Sequence, residues 1–576
     1  MENSIDTINT IFSILVWVMV AYSIFKYASR RLESRKIPSA NSGKQMLAKG
    51  SARSFELNPR TYYIILAVIA VIGITMRVWK FGSVPGGFNQ DGAMAAVDGK
   101  ALADYGTDRL GTWLPAHLYA WGDAQMSSLL SYMIAVFVKL FGLSAITARL
   151  PQLTASIAGG VFFYLFIKDV FGKNAALIAA VFVALNPWHL VQSRWALDCN
   201  LLPHFFMAGV YFLNHGLSGK KRYIYISMIF FALCMYCYGI TIYTIPIFLL
   251  GACVYYLVKK KITWKTALIS LAIYLAISWP FLLTMAVNFF KWDTIELPFV
   301  TIQYFKDSVR SSDILFFSNE PLKQLLSNFK CLMNTTVLQK KDLPWNDIEG
   351  FGTMFLCSMP FMIAGAVEIF AERRESDKSL VVFALLAGVL AGLFTNNVNV
   401  NRVNLVYYGV MMFIAAGIYF VIKEIKYAEW VNLGIYAVLG AMLVSTYFGS
   451  YADSMNNYFH AGFGEAVEAA EDSGAEKIYI AIEAEGDGYV RMREILTMFY
   501  DKTDAEYFQG KKNENNGEEL LPYNERFSYV LIDDSLTAET KDEDAAYVIA
   551  SSDEKYFDSE EFDIERFGNY SAAVKK

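Results

Sequence analysis

About twelve apolar stretches limit how this chain can fold more than any other feature. They lie near residues 9–26, 61–79, 147–168, 174–194, 203–219, 223–240, 241–258, 267–289, 351–371, 379–395, 403–422 and 430–448. A helix needs about 20 predominantly apolar residues to cross a bilayer. Because 55% of the residues are hydrophobic and only 18% are charged, the chain is too apolar for an ordinary soluble protein. We therefore predict a polytopic α-helical membrane protein with about 12 transmembrane helices.

The positions of lysine and arginine predict how these spans are oriented. Basic residues recur between residues 26 and 60, at 168–173, 220–222, 259–261, 373–374 and 423–426. By the positive-inside rule these segments are cytoplasmic, so both termini are expected outside the cytoplasm, at a bacterial plasma membrane. All these basic segments fall on the cytoplasmic side only if the short apolar run Met126–Phe141 lies in the outer interface and does not cross the membrane.

Changes in composition divide the chain into three parts. Residues 1–60 are predicted to form a transmembrane helix and a basic cytoplasmic linker, and residues 61–450 a transmembrane catalytic domain. That domain has a first outer loop at 80–146 and a long outer loop at 290–350, which we interpret as a lid. From 451 to 576 helix and strand patterns alternate, with strands expected at Lys477–Ile482, Ser528–Ile532 and Ala546–Ile549. This alternation predicts a small extracytoplasmic α/β domain.

Asp91 is the first candidate functional residue. It follows a Gly-rich stretch in the first outer loop and precedes an amphipathic helical pattern, so its carboxylate is expected at the membrane surface. The alternative is that Asp91 only caps this helix, since aspartate is a preferred N-cap.

Three arginines fall at the predicted outer ends of different spans, where the positive-inside rule does not expect them. These are Arg149, Arg194 and Arg402, and Asp198 lies close to Arg194 in sequence. A guanidinium is planar, always charged and able to bind phosphate through two nitrogens. The arginines therefore predict an anion site beside Asp91 and Asp198, and the alternative is that each is a long cation extended to the interface.

The order of several short motifs resembles a known family. After Asp91 come Ala148-Arg149-Leu150-Pro151, Asn186-Pro187-Trp188-His189, Ser193-Arg194-Trp195-Ala196-Leu197-Asp198 and Asn401-Arg402. Over roughly residues 60–510 this order resembles GT-C glycosyltransferases of the protein-mannosyltransferase and aminoarabinose-transferase type. The resemblance implies the GT-C fold, transfer of a sugar from a polyprenyl-phosphate carrier to a hydroxyl on the outer face, and Asp91 as the catalytic carboxylate.

One departure from the family pattern concerns the residue after Asp91. The family often has Asp-Glu where this chain has Asp91-Gly92, so the role of that Glu is either missing or moved to Asp98 or Asp198.

The residues support the same chemistry independently. Attack by a hydroxyl on an anomeric carbon needs a base, here Asp91, and the leaving phosphate needs fixed cations. Asp198, the second candidate catalytic residue, is expected to orient the acceptor or to share a divalent ion with Asp91. Gln90, Asp98, His117 and Asn401 are expected to support the site. No nucleotide or redox cofactor is expected, whereas Asp91 and Asp198 could share a Mg²⁺ or Mn²⁺ ion.

The partners are only partly defined by the sequence. We expect a polyprenyl-phosphate-linked sugar donor, a protein, glycolipid or cell-wall polymer as acceptor, and membrane lipids; no basic, aromatic-laced patch predicts nucleic acid. The sugar itself, a hexose or a pentose, is not specified. The alternatives are a flippase for lipid-linked glycans or another transporter, which would place charges at mid-membrane, and a sensor or adhesion protein, which would not need a dozen spans.

Overall fold

The computed structural model of the protein describes residues 2–35, 57–121, 125–306, 315, 318–340, 342–371, 377–515, 518–540 and 543–576. Arg373, Arg374 and most of the basic linker after α1 lie outside the described residues. The helices of the first half are α1 (Glu2–Arg35), α2 (Pro59–Val78), α3 (Gln90–Tyr105), α4 (Leu129–Phe141), α5 (Ala145–Phe171), α6 (Lys173–Leu185), α7 (Pro187–Gln192), α8 (Leu202–Leu217), α9 (Arg222–Cys234), α10 (Thr241–Val258) and α11 (Trp264–Phe290).

The second half continues with further membrane-domain helices and the helices of the C-terminal region. These are α12 (Pro321–Thr336), α13 (Phe361–Ala371), α14 (Ser379–Phe394), α15 (Val406–Glu424), α16 (Ala428–Thr446), α17 (Ala452–Tyr458), α18 (Phe463–Asp472), α19 (Asp487–Tyr500), α20 (Ala505–Phe508), α21 (Tyr523–Arg526) and α22 (Asp534–Glu539). A short π-helical segment, Tyr447–Tyr451, joins α16 to α17.

Every predicted span overlaps a helix, although the span at 351–371 is α-helical only at Phe361–Ala371 and the span at 174–194 is divided between α6 and α7. Among the described residues, seven helices are long and apolar enough to cross a membrane, and several shorter apolar helices accompany them. The seven are α1, α2, α5, α10, α11, α15 and α16 with its continuation into α17. The prediction of a multi-pass helical membrane protein is therefore confirmed.

Most of the run Met126–Phe141 forms α4, which begins at Leu129 and lies against α3 of the first outer loop. Gly99 of α3 approaches Ile134 so closely that an added Cβ would lie 2.7 Å from its side chain. Lys139 donates to the carbonyl of Ala103 at 2.9 Å. This packing of α4 along α3 supports the idea that the segment does not cross the membrane. Its position relative to the membrane stays a prediction.

Helix α15 is the buried centre of the bundle. Glycines let its neighbours approach: an added Cβ on Gly365 of α13 would lie 2.0 Å from the carbonyl oxygen of Phe413, and one on Gly388 of α14 would lie 2.2 Å from the Cα of Val406. Close contact through small residues is the usual way in which membrane helices pack. At its far end, Glu424 forms an ion pair with Arg30, which fastens α1 to the bundle.

The C-terminal region folds as the predicted small α/β domain. Its five-stranded sheet has the order β10-β11-β9-β5-β8, in which β5 pairs in parallel with β8 and β9, and β11 in antiparallel with β9 and β10. The strands are β5 (Lys477–Ala481), β8 (Phe527–Val530), β9 (Ala545–Ala550), β10 (Phe562–Phe567) and β11 (Tyr570–Lys575). Three expected strands are confirmed, and β10 and β11 were not foreseen.

Three two-stranded ribbons complete the described sheets. They are formed by β1 (Leu118–Tyr119) with β2 (Gln125–Met126), β3 (Ile295–Leu297) with β4 (Val300–Ile302), and β6 (Glu514–Asn515) with β7 (Glu518–Glu519). The β3–β4 ribbon belongs to the long outer loop and contacts the first outer loop, since the N–H of Ala116 donates to the carbonyl of Thr301 at 2.9 Å. The expected lid therefore has ordered structure of its own at its beginning.

Candidate functional site

Asp91 lies in the first turn of α3 but does not cap the helix. The cap is Asn89, whose side chain accepts a hydrogen bond from the N–H of Gly92 at 3.3 Å. The structure therefore rejects the capping alternative for Asp91. Instead, the half-buried carboxylate accepts a hydrogen bond of 2.6 Å from the indole N–H of Trp121. A fixed donor of this kind orients a carboxylate without supplying a cation.

Gly92 explains why the glutamate of the family pattern is absent. A Cβ added at Gly92 would lie 2.8 Å from the carbonyl oxygen of Ala196 and 2.8 Å from the ring of Phe88. A side chain there would have to displace the backbone of the segment that carries Asp198. The close approach at Gly92 is what brings the Asp91 and Asp198 segments together.

Asp98 does not take over the role of the missing glutamate. It is fully buried and forms an ion pair of 2.8 Å with Arg109, whose backbone N–H also donates to the carboxylate at 3.0 Å. Arg109 further donates to the carbonyls of Tyr119 and Ala120, next to Trp121. Asp98 thus stabilises the loop that carries Trp121 through Arg109, and its predicted support of the site stays a prediction.

Asp198 lies at the start of a short 3₁₀ turn, Asp198–Asn200, and is 7% exposed. Its carboxylate accepts a hydrogen bond of 2.6 Å from the N–H of Cys199. Burial raises the pKa of the Cys199 thiol, and the negative charges of Asp198 and of Asp91 raise it further. Together with the close approach of Gly92 to the carbonyl of Ala196, this places the segment of Asp91 beside the segment of Asp198.

Arg194 contacts backbone rather than open space. It is completely buried, and its guanidinium donates to five carbonyl oxygens at the end of α2 and in the loop after it, those of Met76, Arg77, Trp79, Lys80 and Val84. Carbonyls at a helix C-terminus carry partial negative charge, so a cation is stabilised there. This geometry contradicts the prediction that Arg194 binds the donor phosphate.

Arg149 has a similar structural role in the first outer loop. It is 2% exposed, donates to the carbonyls of Gly82 and Gly87 at 2.9 and 2.7 Å, and lies over the ring of Phe88. These contacts hold the loop that leads to Asp91. This geometry contradicts the prediction that Arg149 binds phosphate, because both terminal nitrogens of its guanidinium donate to backbone carbonyls.

Arg402 differs from the other two arginines because it is only half-buried. One terminal nitrogen donates to the carbonyl of Asn396 at 2.7 Å. Two residues later, the amide of Asn404 donates to the side chain of Asn200 at 2.8 Å and accepts from the indole of Trp188. Asn404 thus connects the Arg402 segment with the 3₁₀ turn that begins at Asp198. Sequence reasoning missed this asparagine, although it lies three residues after Asn401 in the same motif.

The remaining expected support residues are placed unevenly. Gln90 precedes Asp91 in the first turn of α3 and is half-buried, as is Asn401 beside Arg402. His117 is buried between the rings of Phe281 and Phe305. His117 therefore packs among aromatic side chains, and its predicted support of the site stays a prediction.

A further buried charge was also missed by sequence reasoning. Arg77 of α2 is 3% exposed and donates to the carbonyls of Gly73, Val183 and Ala184 and to Nδ1 of His189. The other ring nitrogen of His189 contacts the hydroxyl of Tyr408 at 3.1 Å. This network ties α2, α7 and α15 together beneath the candidate site.

The C-terminal domain contacts the loop that leads to Asp91. The N–H of Phe88 donates to the carbonyl of Phe459 at 2.6 Å, and Gly87 packs so closely on this carbonyl that a Cβ would lie 2.0 Å from it. Gly87 also has a φ of +70°, a conformation in which glycine is favoured. At the other end of α3, Tyr105 donates to Asp504 at 2.6 Å. Both ends of the helix that carries Asp91 are thus held by the C-terminal domain.

The candidate ligands for a divalent cation are few. Among the described residues, no group of three or more His, Cys, Asp or Glu side chains could hold a metal ion. Asp91 and Asp198 are nevertheless hard oxygen ligands on two segments that meet at Gly92, and Mg²⁺ is commonly held by one or two carboxylates together with substrate phosphate. The pair therefore fits such an ion only with the substrate as a further ligand.

Comparisons with known proteins agree with this architecture. Residues 127–303 match the family model described as dolichyl-phosphate-mannose-protein mannosyltransferase. The fold is similar to ArnT from Cupriavidus metallidurans bound to undecaprenyl phosphate (TM-score 0.52, 11% identity, covering 90% of this chain and 98% of ArnT) and to the apo state of ArnT (TM-score 0.51, 12% identity, 89% and 98%). The oligosaccharyltransferase from Archaeoglobus fulgidus in complex with Zn and sulfate is more distant, with a TM-score of 0.48, 14% identity and coverage of 75% and 61%. No curated protein matches the sequence.

The fold and these matches define a class: this is a multi-pass membrane protein with the GT-C fold of glycosyltransferases. Over almost its whole length the chain is similar to ArnT, with a C-terminal α/β domain after the membrane helices. The resemblance drawn from the motifs is confirmed.

Proposed function

We propose that this protein transfers a sugar from a polyprenyl-phosphate carrier to an acceptor hydroxyl on the outer face of the membrane. The observation that carries the proposal is the position of Asp91. Its half-buried carboxylate is oriented by Trp121 rather than used as a helix cap, and it lies beside the Asp198 segment. The GT-C fold supports glycosyl transfer as the reaction, and the family match supports a lipid-phosphate donor.

In the proposed reaction, the acceptor oxygen attacks the anomeric carbon of the sugar and the bond from this carbon to the phosphate oxygen breaks. Asp91 takes the proton of the attacking hydroxyl, and a positioned base of this kind contributes about 10²–10⁴-fold to a rate. The electron pair of the broken bond leaves with the polyprenyl phosphate. Arg402, the least buried of the three predicted arginines, stabilises the developing phosphate charge.

The proposal assigns the remaining roles as follows. Asp198 orients the acceptor or, together with Asp91, holds a divalent cation that would supply positive charge to the donor phosphate. The donor carries a hexose or a pentose, and its prenyl chain lies among the membrane lipids. The acceptor is a hydroxyl of a protein, a glycolipid or a cell-wall polymer, outside a bacterial plasma membrane.

The test is Asp91→Asn, which removes the base while it keeps the size of the side chain and its ability to accept from Trp121. We expect normal expression and folding with a loss of sugar transfer of about a hundredfold or more. The matched control is Asp104→Asn, on the same helix, where the side chain is exposed and contacts Lys100. Transfer is measured with radiolabelled polyprenyl-phosphate sugar and purified membranes.

Wild-type transfer by well-folded Asp91→Asn would refute the assignment of Asp91 as the base. If neither the wild type nor the variants transfer sugar, but reconstituted vesicles show movement of the lipid-linked sugar across the bilayer, the flippase alternative replaces the transferase.

A further inference from the structure

We infer that a cavity at the opposite end of the bundle from the candidate site binds a phospholipid with a primary-amine headgroup. The cavity measures about 420 Å³ and lies where the first turns of α2, α6 and α16 meet the last turns of α15. Helix α2 begins at this cavity and ends under Arg194, so the cavity and the site are separated by a full membrane helix. Its volume lies in the range of roughly 300–1,000 Å³ that ligand pockets occupy.

Most of the cavity wall is apolar and suits an acyl chain. The wall is formed by side chains from four helices, among them Ile65, Leu177, Val181, Phe182, Ile418 and Leu433. Trp430, which is 62% exposed, stands at the edge, and tryptophan favours the membrane interface. An apolar wall that ends at an interfacial tryptophan is what a lipid tail and its headgroup require.

Asn432 gives the cavity a specific polar requirement. It lines the cavity, is 4% exposed, and its side-chain nitrogen donates to the carbonyl of Ala428 at 2.8 Å. That bond fixes the orientation of the amide, because only the nitrogen can donate to a carbonyl. The amide oxygen is buried and has no hydrogen-bond partner in the described part of the chain. Buried polar atoms are normally satisfied, so this oxygen calls for a ligand with an N–H or O–H group.

The charges at this end of the cavity narrow the choice of ligand. Lys423 and Glu429 both line it, and Lys423 also contacts Glu368 at 2.6 Å. Glu368 itself does not line the cavity and is also paired with Lys378 at 3.4 Å. The charged residues of the lining are therefore one cation, Lys423, and one carboxylate, Glu429. A lining without excess positive charge does not favour a lipid with net negative charge. A zwitterionic headgroup matches better, with its phosphate near Lys423 and its ammonium near Glu429 and Asn432. Of the two common zwitterionic headgroups, only ethanolamine has N–H donors for the oxygen of Asn432.

The inference is tested on the purified full-length protein after removal of bound lipid. Phosphatidylethanolamine, phosphatidylcholine and phosphatidylglycerol are added in turn, and lipid adducts are counted by native mass spectrometry while Tm is measured. We expect phosphatidylethanolamine to bind at least fivefold more tightly than phosphatidylcholine and to raise Tm by several degrees. Asn432→Ala should abolish this preference, and Val181→Trp, which fills the cavity, should abolish the adduct.

The control is Leu250→Trp, which fills a second, wholly separate cavity of about 290 Å³ between α8, α9, α10 and α11. It should leave the preference for phosphatidylethanolamine unchanged. Equal binding of the two zwitterionic lipids, tighter binding of phosphatidylglycerol, or an unchanged preference in Asn432→Ala would each overturn the inference. Asp91→Asn should bind the lipid as the wild type does, so this result is independent of the proposed reaction.

Discussion

The rings of Phe88 and Phe499 are stacked with their centroids 4.5 Å apart, and this pair joins the loop before Asp91 to helix α19 of the C-terminal domain. Both side chains are buried, at 1% and 3% exposure. The guanidinium of Arg149 also lies over the ring of Phe88, 4.9 Å from its centroid. The domain after the membrane helices therefore forms part of the support for the candidate base.

Phe499→Ala should lower both stability and transfer. Truncation of a buried phenylalanine typically costs about 3–5 kcal/mol, and here the cavity would lie against the loop that positions Asp91. We expect a lower Tm and roughly a tenfold loss of transfer, measured on the same purified sample. Tyr489→Ala, on the same helix but 40% exposed, is the control. Unchanged transfer in Phe499→Ala would show that the loop keeps its position without the domain.

Gly92→Ala should impair transfer although alanine is a better helix former than glycine. Its methyl group would lie 2.8 Å from the carbonyl oxygen of Ala196, so the start of α3 would have to move away from the Asp198 segment. We expect at least a tenfold loss of kcat. The control is Gly488→Ala in α19, where an added Cβ meets no atom within 4 Å. Gly92→Glu, which restores the residue common in the family, should be inactive; rescue of activity by it would contradict the packing argument.

The arginines should separate into structural and functional residues. Arg194→Lys would leave several buried carbonyls of the α2 end unpaired, each at a cost of about 1–3 kcal/mol, so Tm should fall strongly. Arg402→Lys should keep Tm within a few degrees but lose transfer, because lysine lacks the planar fork. Thermal unfolding and transfer are measured in parallel for both variants. If Arg194→Lys were stable but inactive, the prediction that Arg194 binds the donor phosphate would be supported after all.

Glu471 should make the stability of the C-terminal domain depend on pH. Burial, followed by the hydrogen bond and charge of Asp501, raises the pKa of Glu471 to about 10 from an ordinary value of 4.5. The folded state therefore keeps a proton that the unfolded state loses, and stability falls as pH rises from about 4.5 towards 10. Glu471→Gln should flatten this dependence and raise Tm at pH 8.5 relative to the wild type. Glu468→Gln, exposed on the same helix, should not; a wild-type Tm independent of pH would refute the prediction.

The membrane spans and the parallel part of the C-terminal sheet could be predicted because each depends on local patterns. Apolar length defined α2, α5 and α10, and alternation of helix and strand defined β5, α19 and β8. The antiparallel strands β10 and β11 were missed because their pairing depends on contacts with β9 rather than on a distinctive local pattern. The sequence also predicts that Asp91 and Asp198 lie at one end of the bundle, because each follows a span that is predicted to run outward.

The roles of the arginines could not be predicted in the same way. Arg149, Arg194 and Arg402 look alike in sequence, each beside the outer end of a span. What distinguishes them is whether a backbone passes within reach of the guanidinium, and the carbonyls that bind Arg194 lie more than 100 residues earlier in the chain. The capping role fell to Asn89 because α3 begins two residues earlier than a cap at Asp91 would require.

The contacts of α3 with the C-terminal domain also determine when the site is completed during synthesis. Tyr105 and its partner Asp504 are 399 residues apart in sequence, and Phe88 is similarly distant from its partner Phe499. A nascent chain that has inserted all its membrane helices still lacks the C-terminal partners of α3 and of the loop before it, until the C-terminal domain has been synthesised and folded. A polypeptide interrupted before that point would carry every proposed reacting group and yet lack this support for α3, so activity should appear only after the C-terminal domain has folded.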